Sequence, residues 1–130
     1  MLYTGLNEST AIGEFYRLAE RSNLPVESFL PRTLCVIEAD LEAVLDLRNS
    51  DSLSTVGLTF EQLSSYSMRE CQTVGEAAHR LRLEGILAPS ATGTGEVLAI
   101  FELNLRNNSR VGEQARRAWP MPPRRGDLKP

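Results

Sequence analysis

Hydrophobic positions change rhythm several times along this chain. From Thr10 to Arg21 they recur at helical spacing, with Ala11, Phe15, Leu18 and Ala19 on one face. That spacing predicts a helix starting at Ser9 and Thr10 and stopping before Asn23 and Pro25. Thr33-Leu34-Cys35-Val36-Ile37 is a continuous β-branched and apolar run bounded by Pro31, which reads as a buried strand. Val44-Leu45-Asp46-Leu47 fits a second short strand or a structured turn, and the polar stretch from Asn49 to Val56 reads as a loop. Thr59 and Gln62 have capping-box spacing ahead of a short helix. A longer helix is predicted from Glu70 to Leu83, with Val74, Ala77, Ala78 and Leu81 facing inward and Gly85 ending it in a left-handed conformation. Ile86-Leu87-Ala88 and Val97-Leu98-Ala99-Ile100-Phe101 then read as two strands around a turn at Gly93 and Gly95.

Strands and helices intersperse without a strict βαβ rhythm, so the fold class expected is α+β, a small mixed β-sheet flanked by helices. The periodic part predicts a domain over residues 1–105. After Asn104 the rhythm fades into a basic, Pro-rich tail at 106–130, where four prolines from Pro120 onward predict a flexible end. Gly93-Thr94-Gly95 lies between two predicted strands and opens no helix, which excludes a dinucleotide-binding glycine fingerprint.

Composition adjusts this picture in three ways. Apolar residues make up 42% of the 130 positions, enough for one packed core. No apolar run approaches the roughly 18 residues a membrane-spanning helix needs, and the N-terminus has no secretory pattern, so the expected location is the cytoplasm. Cys35 and Cys71 are spaced for neither a metal nor a disulfide and read as two buried thiols.

The net charge of −3 divides unevenly, with 7 Arg against 15 acidic residues in 1–105 and 7 basic against 2 acidic in 106–130. A basic tail can hold an anionic partner, and Arg116-Arg117 with Arg124-Arg125 is its densest part. The acidic body argues against a nucleic-acid-binding domain.

A few side chains could carry chemistry. Glu14 sits at the edge of the apolar face of the first helix. A carboxylate so placed can stabilise a cationic, sugar-like transition state, or it can be a surface glutamate paired with Arg17 or Arg21. Tyr3 precedes that helix in an extended segment and could stack on a heterocycle, bond a ribose or simply anchor the strand. Ser90 ends a strand in Pro89-Ser90-Ala91-Thr92-Gly93, where hydroxyls meet phosphates or cap their own backbone. His79 lies mid-helix without a patterned partner, and Cys71 lies near a helix start where a thiol pKa can fall.

Taken in order, several blocks resemble the RES domain, a bacterial toxin family named for its Arg, Glu and Ser. They are Leu2-Tyr3-Thr4-Gly5-Leu6, Thr10-Ala11-Ile12-Gly13-Glu14, Pro31-Arg32-Thr33-Leu34, Val44-Leu45-Asp46-Leu47, Gln72-Thr73-Val74-Gly75, Gly85-Ile86-Leu87-Ala88-Pro89-Ser90 and Val97-Leu98-Ala99-Ile100-Phe101. The resemblance implies an ADP-ribosyltransferase-like fold, NAD+ as substrate rather than a resident cofactor, and an Xre-type antitoxin as partner. It places Tyr3 at the nicotinamide or its ribose, Glu14 on the oxocarbenium-like ribose, and Ser90 at the nicotinamide side or a phosphate.

Hydrolysis, phosphorolysis and ADP-ribose transfer all break the same bond and stay open, as does assembly into a homo-oligomer. The family's arginine lies upstream of its tyrosine, whereas this chain starts two residues before Tyr3. The resemblance therefore implies a pocket missing one wall; Arg17, one turn beyond Glu14, is a cation that could substitute for that arginine. A second reading is a partner- or nucleotide-binding module without turnover.

Overall fold

A computed structural model describes residues 1–64 and 69–119. Six strands and four α-helices follow one another as β1 (Leu2–Gly5), α1 (Glu8–Ser22), β2 (Arg32–Asp40), β3 (Val44–Asp46), α2 (Ser50–Thr55), α3 (Phe60–Ser64), α4 (Arg69–Arg80), β4 (Gly85–Pro89), β5 (Glu96–Ile100) and β6 (Arg110–Trp119). Four strands form one sheet in the order β1-β5-β4-β3, mixed because β3 runs parallel to β4 while the other pairs are antiparallel. β2 and β6 pair separately as a long antiparallel ribbon with a bulge between Val36 and Ile37. The architecture is the expected α+β arrangement with a small mixed sheet.

α1 begins two residues before the expected start because Asn7, not Ser9, caps it. The Asn7 side-chain oxygen accepts from Thr10 N–H at 2.8 Å and from the Thr10 hydroxyl at 2.9 Å. Asn23, in a left-handed conformation, ends the helix. Phe15 and Ala19 are buried as predicted, with Ile12 and Thr10 completing that face, while Ala11 and Leu18 are half-buried along a cleft. The capping box at α3 forms as its spacing implies, with Thr59 N–H donating to Gln62 and Gln62 N–H to the Thr59 hydroxyl.

Several expectations change. The run Thr33–Ile37 is a strand but not a buried one: only Leu34 and Ile37 are half-buried, because β2 pairs with β6 alone, outside the four-stranded sheet. The polar stretch after Asn49 is α2 rather than a loop: Asn49 accepts from Ser52 N–H at 2.9 Å, and Leu53 drops into the core with Leu47, Leu58, Ala88 and Val97. Gly85 does not cap α4. Arg82 takes the left-handed conformation, and the Asn104 amide donates to the carbonyls of His79 and Leu83 at the helix end. Gly85 is instead required inside β4, where an added Cβ would lie 2.6 Å from the Ala99 carbonyl oxygen. Ala77 and Leu81 are exposed rather than inward, since Val74 and Ala78 alone of the predicted face turn to the sheet. Cys35 is exposed on the β2–β6 ribbon and Cys71 half-buried, rather than both buried, and neither is in a disulfide.

β6 occupies residues 110–119 of the stretch expected to be a tail, with charged and small residues alternating too weakly to announce a strand. The Pro-rich end from Pro120 lies outside the described residues.

Glu84, unmarked by any sequence pattern, is the one fully buried carboxylate among the described residues, at 0% exposure. Its Oε1 accepts from Glu42 N–H at 2.7 Å and Ala43 N–H at 2.9 Å, and its Oε2 from Arg106 N–H at 3.0 Å. It thus ties the β2–β3 connection and the segment after β5 to the start of β4. Burial alone would raise its pKa, but the hydrogen bonds from these backbone N–H groups outweigh that and hold it down at about 2.

A carboxylate depressed on folding stabilises the fold above its unfolded pKa, and that stabilisation is lost as pH falls from about 4.5 towards about 2. Denaturant unfolding of wild type between those limits should show this loss. Glu84→Gln should flatten the slope and lower neutral-pH stability by about 1.5–3 kcal/mol, as loss of charge-assisted hydrogen bonds does. Parallel acid profiles for the two proteins would contradict the role given to Glu84.

Candidate active site

Helix α1 reaches the sheet through two glycines. An added Cβ at Gly95 would lie 2.0 Å from the Thr10 hydroxyl oxygen, and one at Gly5 would lie 2.9 Å from the Ala11 nitrogen. Gly95 also has φ +79°, which few side chains tolerate. The first turn of α1 therefore rests on bare backbone, and Thr10 is buried between the two glycines. One turn further on, Gly13 lies against Thr92 of the β4–β5 turn, where an added Cβ would sit 3.4 Å from the Thr92 methyl.

This approach brings Glu14 to Ser90. The Ser90 hydroxyl donates to Glu14 Oε1 at 2.7 Å, across 76 positions of sequence. Ser90 is held in turn by its own turn. Its N–H donates to the Gly95 carbonyl at 2.9 Å, its carbonyl accepts from Gly93 N–H at 3.0 Å, and its hydroxyl oxygen accepts from Thr92 N–H at 3.2 Å. The Thr92 hydroxyl lies 2.8 Å from that of Ser90. The turn-capping reading of Ser90 in the sequence is thus realised. Its side chain is turned to Glu14, and Ser90 is 4% exposed.

Glu14 lines an open cleft of about 1630 Å3 whose walls come from α1, the four-stranded sheet, α4 and the β2–β6 ribbon. Tyr3, Arg17, Arg21, Arg32 and Trp119 share its walls. The volume exceeds that of a typical drug-sized pocket, roughly 300–1,000 Å3. Arg17 lies three positions beyond Glu14 on the same helix, and both line the cleft. Among the described residues no cluster of three His, Cys, Asp or Glu side chains could hold a metal ion.

Tyr3 projects from the edge strand β1 with 51% of its surface exposed. Its hydroxyl nevertheless ionises with difficulty, its pKa pushed up to about 12 by loss of water around it and then by the Glu14 carboxylate, against a smaller opposite pull from Arg17 and Arg21. At neutral pH the phenol is a hydrogen-bond donor beside a carboxylate.

His79 is exposed, packs edge-on against Phe101 at 5.2 Å, and has neither serine nor cysteine beside it in these contacts. Cys71 points its thiol at the Gln62 carbonyl, 3.9 Å away. Thr10 and Thr92, which set the Glu14–Ser90 contact, carried no functional mark in the sequence. The glycines opposite them were the available signal.

A model of the family described as the RES domain matches residues 1–124, and the chain belongs to that family. The protein named NAD(+) phosphorylase MbcT is 30% identical over 107 residues, in Mycobacterium tuberculosis H37Rv and in Mycobacterium bovis, covering 81% of this chain and 58% of the relative. The solved M. tuberculosis MbcT–MbcA toxin–antitoxin complex matches with a TM-score of 0.80 and 26% identity, over 91% of this chain and 65% of that one. This chain thus spans a little under two thirds of the length of these relatives.

The electrostatics of the site can be read from the Tyr3 hydroxyl. In an ultraviolet titration of wild type against Tyr3→Phe, the phenol should ionise near pH 12 rather than 10.0, and Glu14→Gln should move it down. Ionisation near 10.0, unmoved by Glu14→Gln, would show that the phenol and carboxylate do not share this environment.

Proposed function

We propose that this RES-family chain breaks the nicotinamide–ribose bond of NAD+ in the cytoplasm, as the toxin of a toxin–antitoxin pair. The observation that carries the reading is the Glu14 carboxylate, anchored by the Ser90 hydroxyl and facing a cleft large enough for a dinucleotide. The relatives' names, an NAD(+) phosphorylase and a toxin in complex with its antitoxin, support it.

When the bond from C1′ to the pyridinium nitrogen breaks, its electron pair leaves with neutral nicotinamide. Positive charge then spreads over C1′ and the ring oxygen of the ribose. A fixed anion facing that carbon is worth most when it needs no reorganisation, and the Ser90 bond supplies that fixity to Glu14. Tyr3 as a neutral donor suits the carboxamide or a ribose hydroxyl. Arg17 suits a phosphate of the substrate. A phosphate oxyanion then forms the new bond to C1′, giving an ADP-ribose phosphate ester. Inorganic phosphate is preferred to water or a protein side chain as acceptor because the relatives are named phosphorylases. The partner expected is an antitoxin protein of the Xre type that the family resemblance implies.

Purified protein incubated with NAD+ and phosphate should release nicotinamide. Glu14→Gln should lower kcat by about 100-fold or more, the scale of losing a preorganised charge contact. Ser90→Ala, which leaves Glu14 in place without its anchor, should lower kcat about tenfold with KM little changed. A folded wild-type protein that binds ADP-ribose yet releases no nicotinamide with phosphate, water or a protein acceptor would replace this reading with that of a nucleotide-binding module.

A further inference from the structure

Arg32 is held as a binding group is held. It opens β2 directly opposite Trp119 of β6, and both residues line the cleft that Glu14 faces. Its guanidinium carbon lies 5.8 Å from the centre of the Phe15 ring and 5.7 Å from that of Phe29, while its Nε–H donates to the Phe29 carbonyl at 3.1 Å. The Phe15 ring is itself fixed, 5.8 Å from that of Trp119 and 6.5 Å from that of Phe29. Three contacts thus determine where the planar group sits. Among the described residues, neither of its Nη groups makes a hydrogen bond or an ion pair. Glu8, an acidic neighbour on the cleft wall, is already engaged by Arg117.

A guanidinium held near two rings, with its outer donors unspent among the described residues, is a preformed fork for an oxyanion, and phosphate fits the fork in a bidentate way. Phe15 follows Glu14 in α1, so the fork stands beside the catalytic carboxylate's own stretch of helix. NAD+ carries its diphosphate on C5′ of the same ribose whose C1′ reacts, and phosphorolysis brings a second phosphate to that carbon. Resting on the NAD+-cleaving reading above, we infer that Arg32 is a phosphate-binding residue of the cleft. It takes either the diphosphate of the dinucleotide or the inorganic phosphate acceptor.

The test is initial-rate kinetics of the whole chain with NAD+ and phosphate varied in turn, for wild type, Arg32→Gln and Arg32→Lys, with melting temperatures alongside. Arg32→Gln should raise one KM about tenfold or more, with kcat changing less, and Arg32→Lys should recover part of it because a point charge replaces the fork. A change in the KM for NAD+ assigns the diphosphate, and a change in the KM for phosphate assigns the acceptor. A lowered melting temperature with both KM values unchanged makes Arg32 a structural residue and overturns the inference. Should Arg32→Gln not fold, Arg32→Lys decides in the same way, since it keeps the charge over the rings. Should wild type show no turnover, calorimetric titration with ADP-ribose and with inorganic phosphate replaces the kinetics. Weaker binding of either one by the variants supports the site, and equal or absent binding overturns it.

Discussion

The seat of Thr10 between Gly5 and Gly95 sets the geometry of everything that follows. A helix normally packs on its neighbours through its side chains. Here the first turn of α1 touches backbone, because an added Cβ at Gly95 would fall 2.0 Å from the Thr10 hydroxyl. β1 and β5 are already fixed to each other, with Gly5 opposite Val97 and Leu6 N–H donating to the Glu96 carbonyl at 3.0 Å. The helix thereby acquires one depth and one rotation. That rotation lays Gly13 on Thr92 and aims Glu14 at Ser90. A side chain at either glycine would lift α1 and open the 2.7 Å contact on which the carboxylate's position depends.

The opposite end of the sheet is held by a different device. Glu84 gathers backbone N–H groups from two connections and leaves β4 and β5 in register down to Ala88 and Val97, which join Leu47, Leu53 and Leu58 in the core. The site grows from the ends of these strands. Tyr3 lies on β1, and Ser90 follows the last residue of β4 at the start of the turn whose backbone holds it. The third wall belongs to the β2–β6 ribbon, which meets the rest through Phe15, Phe29 and Trp119.

Local rules made much of this legible in the chain itself. The capping box at Thr59 and Gln62, the helix after Ser9, the strands at Ile86 and Val97 and the turn at Gly93 and Gly95 all follow from them. The pairing of Glu14 with Ser90 did not, since it joins residues 76 positions apart and rests on a close approach at glycines. α2 was hidden because one leucine carries its burial, and its signal was the Asn49 cap rather than any periodicity. β6 was hidden because its partner is another exposed strand, so neither face needed to be apolar. Gly85 was misread because glycine after a helix and glycine under a neighbouring strand look alike in one dimension. Arg32 stood in the sequence only as part of the Pro31-Arg32-Thr33-Leu34 block, since its surroundings come from rings contributed by α1 and the turn before β2.

The central claim is that Glu14 faces the reacting carbon of the substrate. The most direct measurement is a crystal structure of Glu14→Gln bound to intact NAD+. C1′ of the nicotinamide ribose should lie within about 4 Å of the residue 14 side chain, close to the reach of reacting groups, with the Ser90 hydroxyl still on that side chain. NAD+ bound outside the cleft, or inside it with another part of the dinucleotide against residue 14, would contradict the role assigned to Glu14.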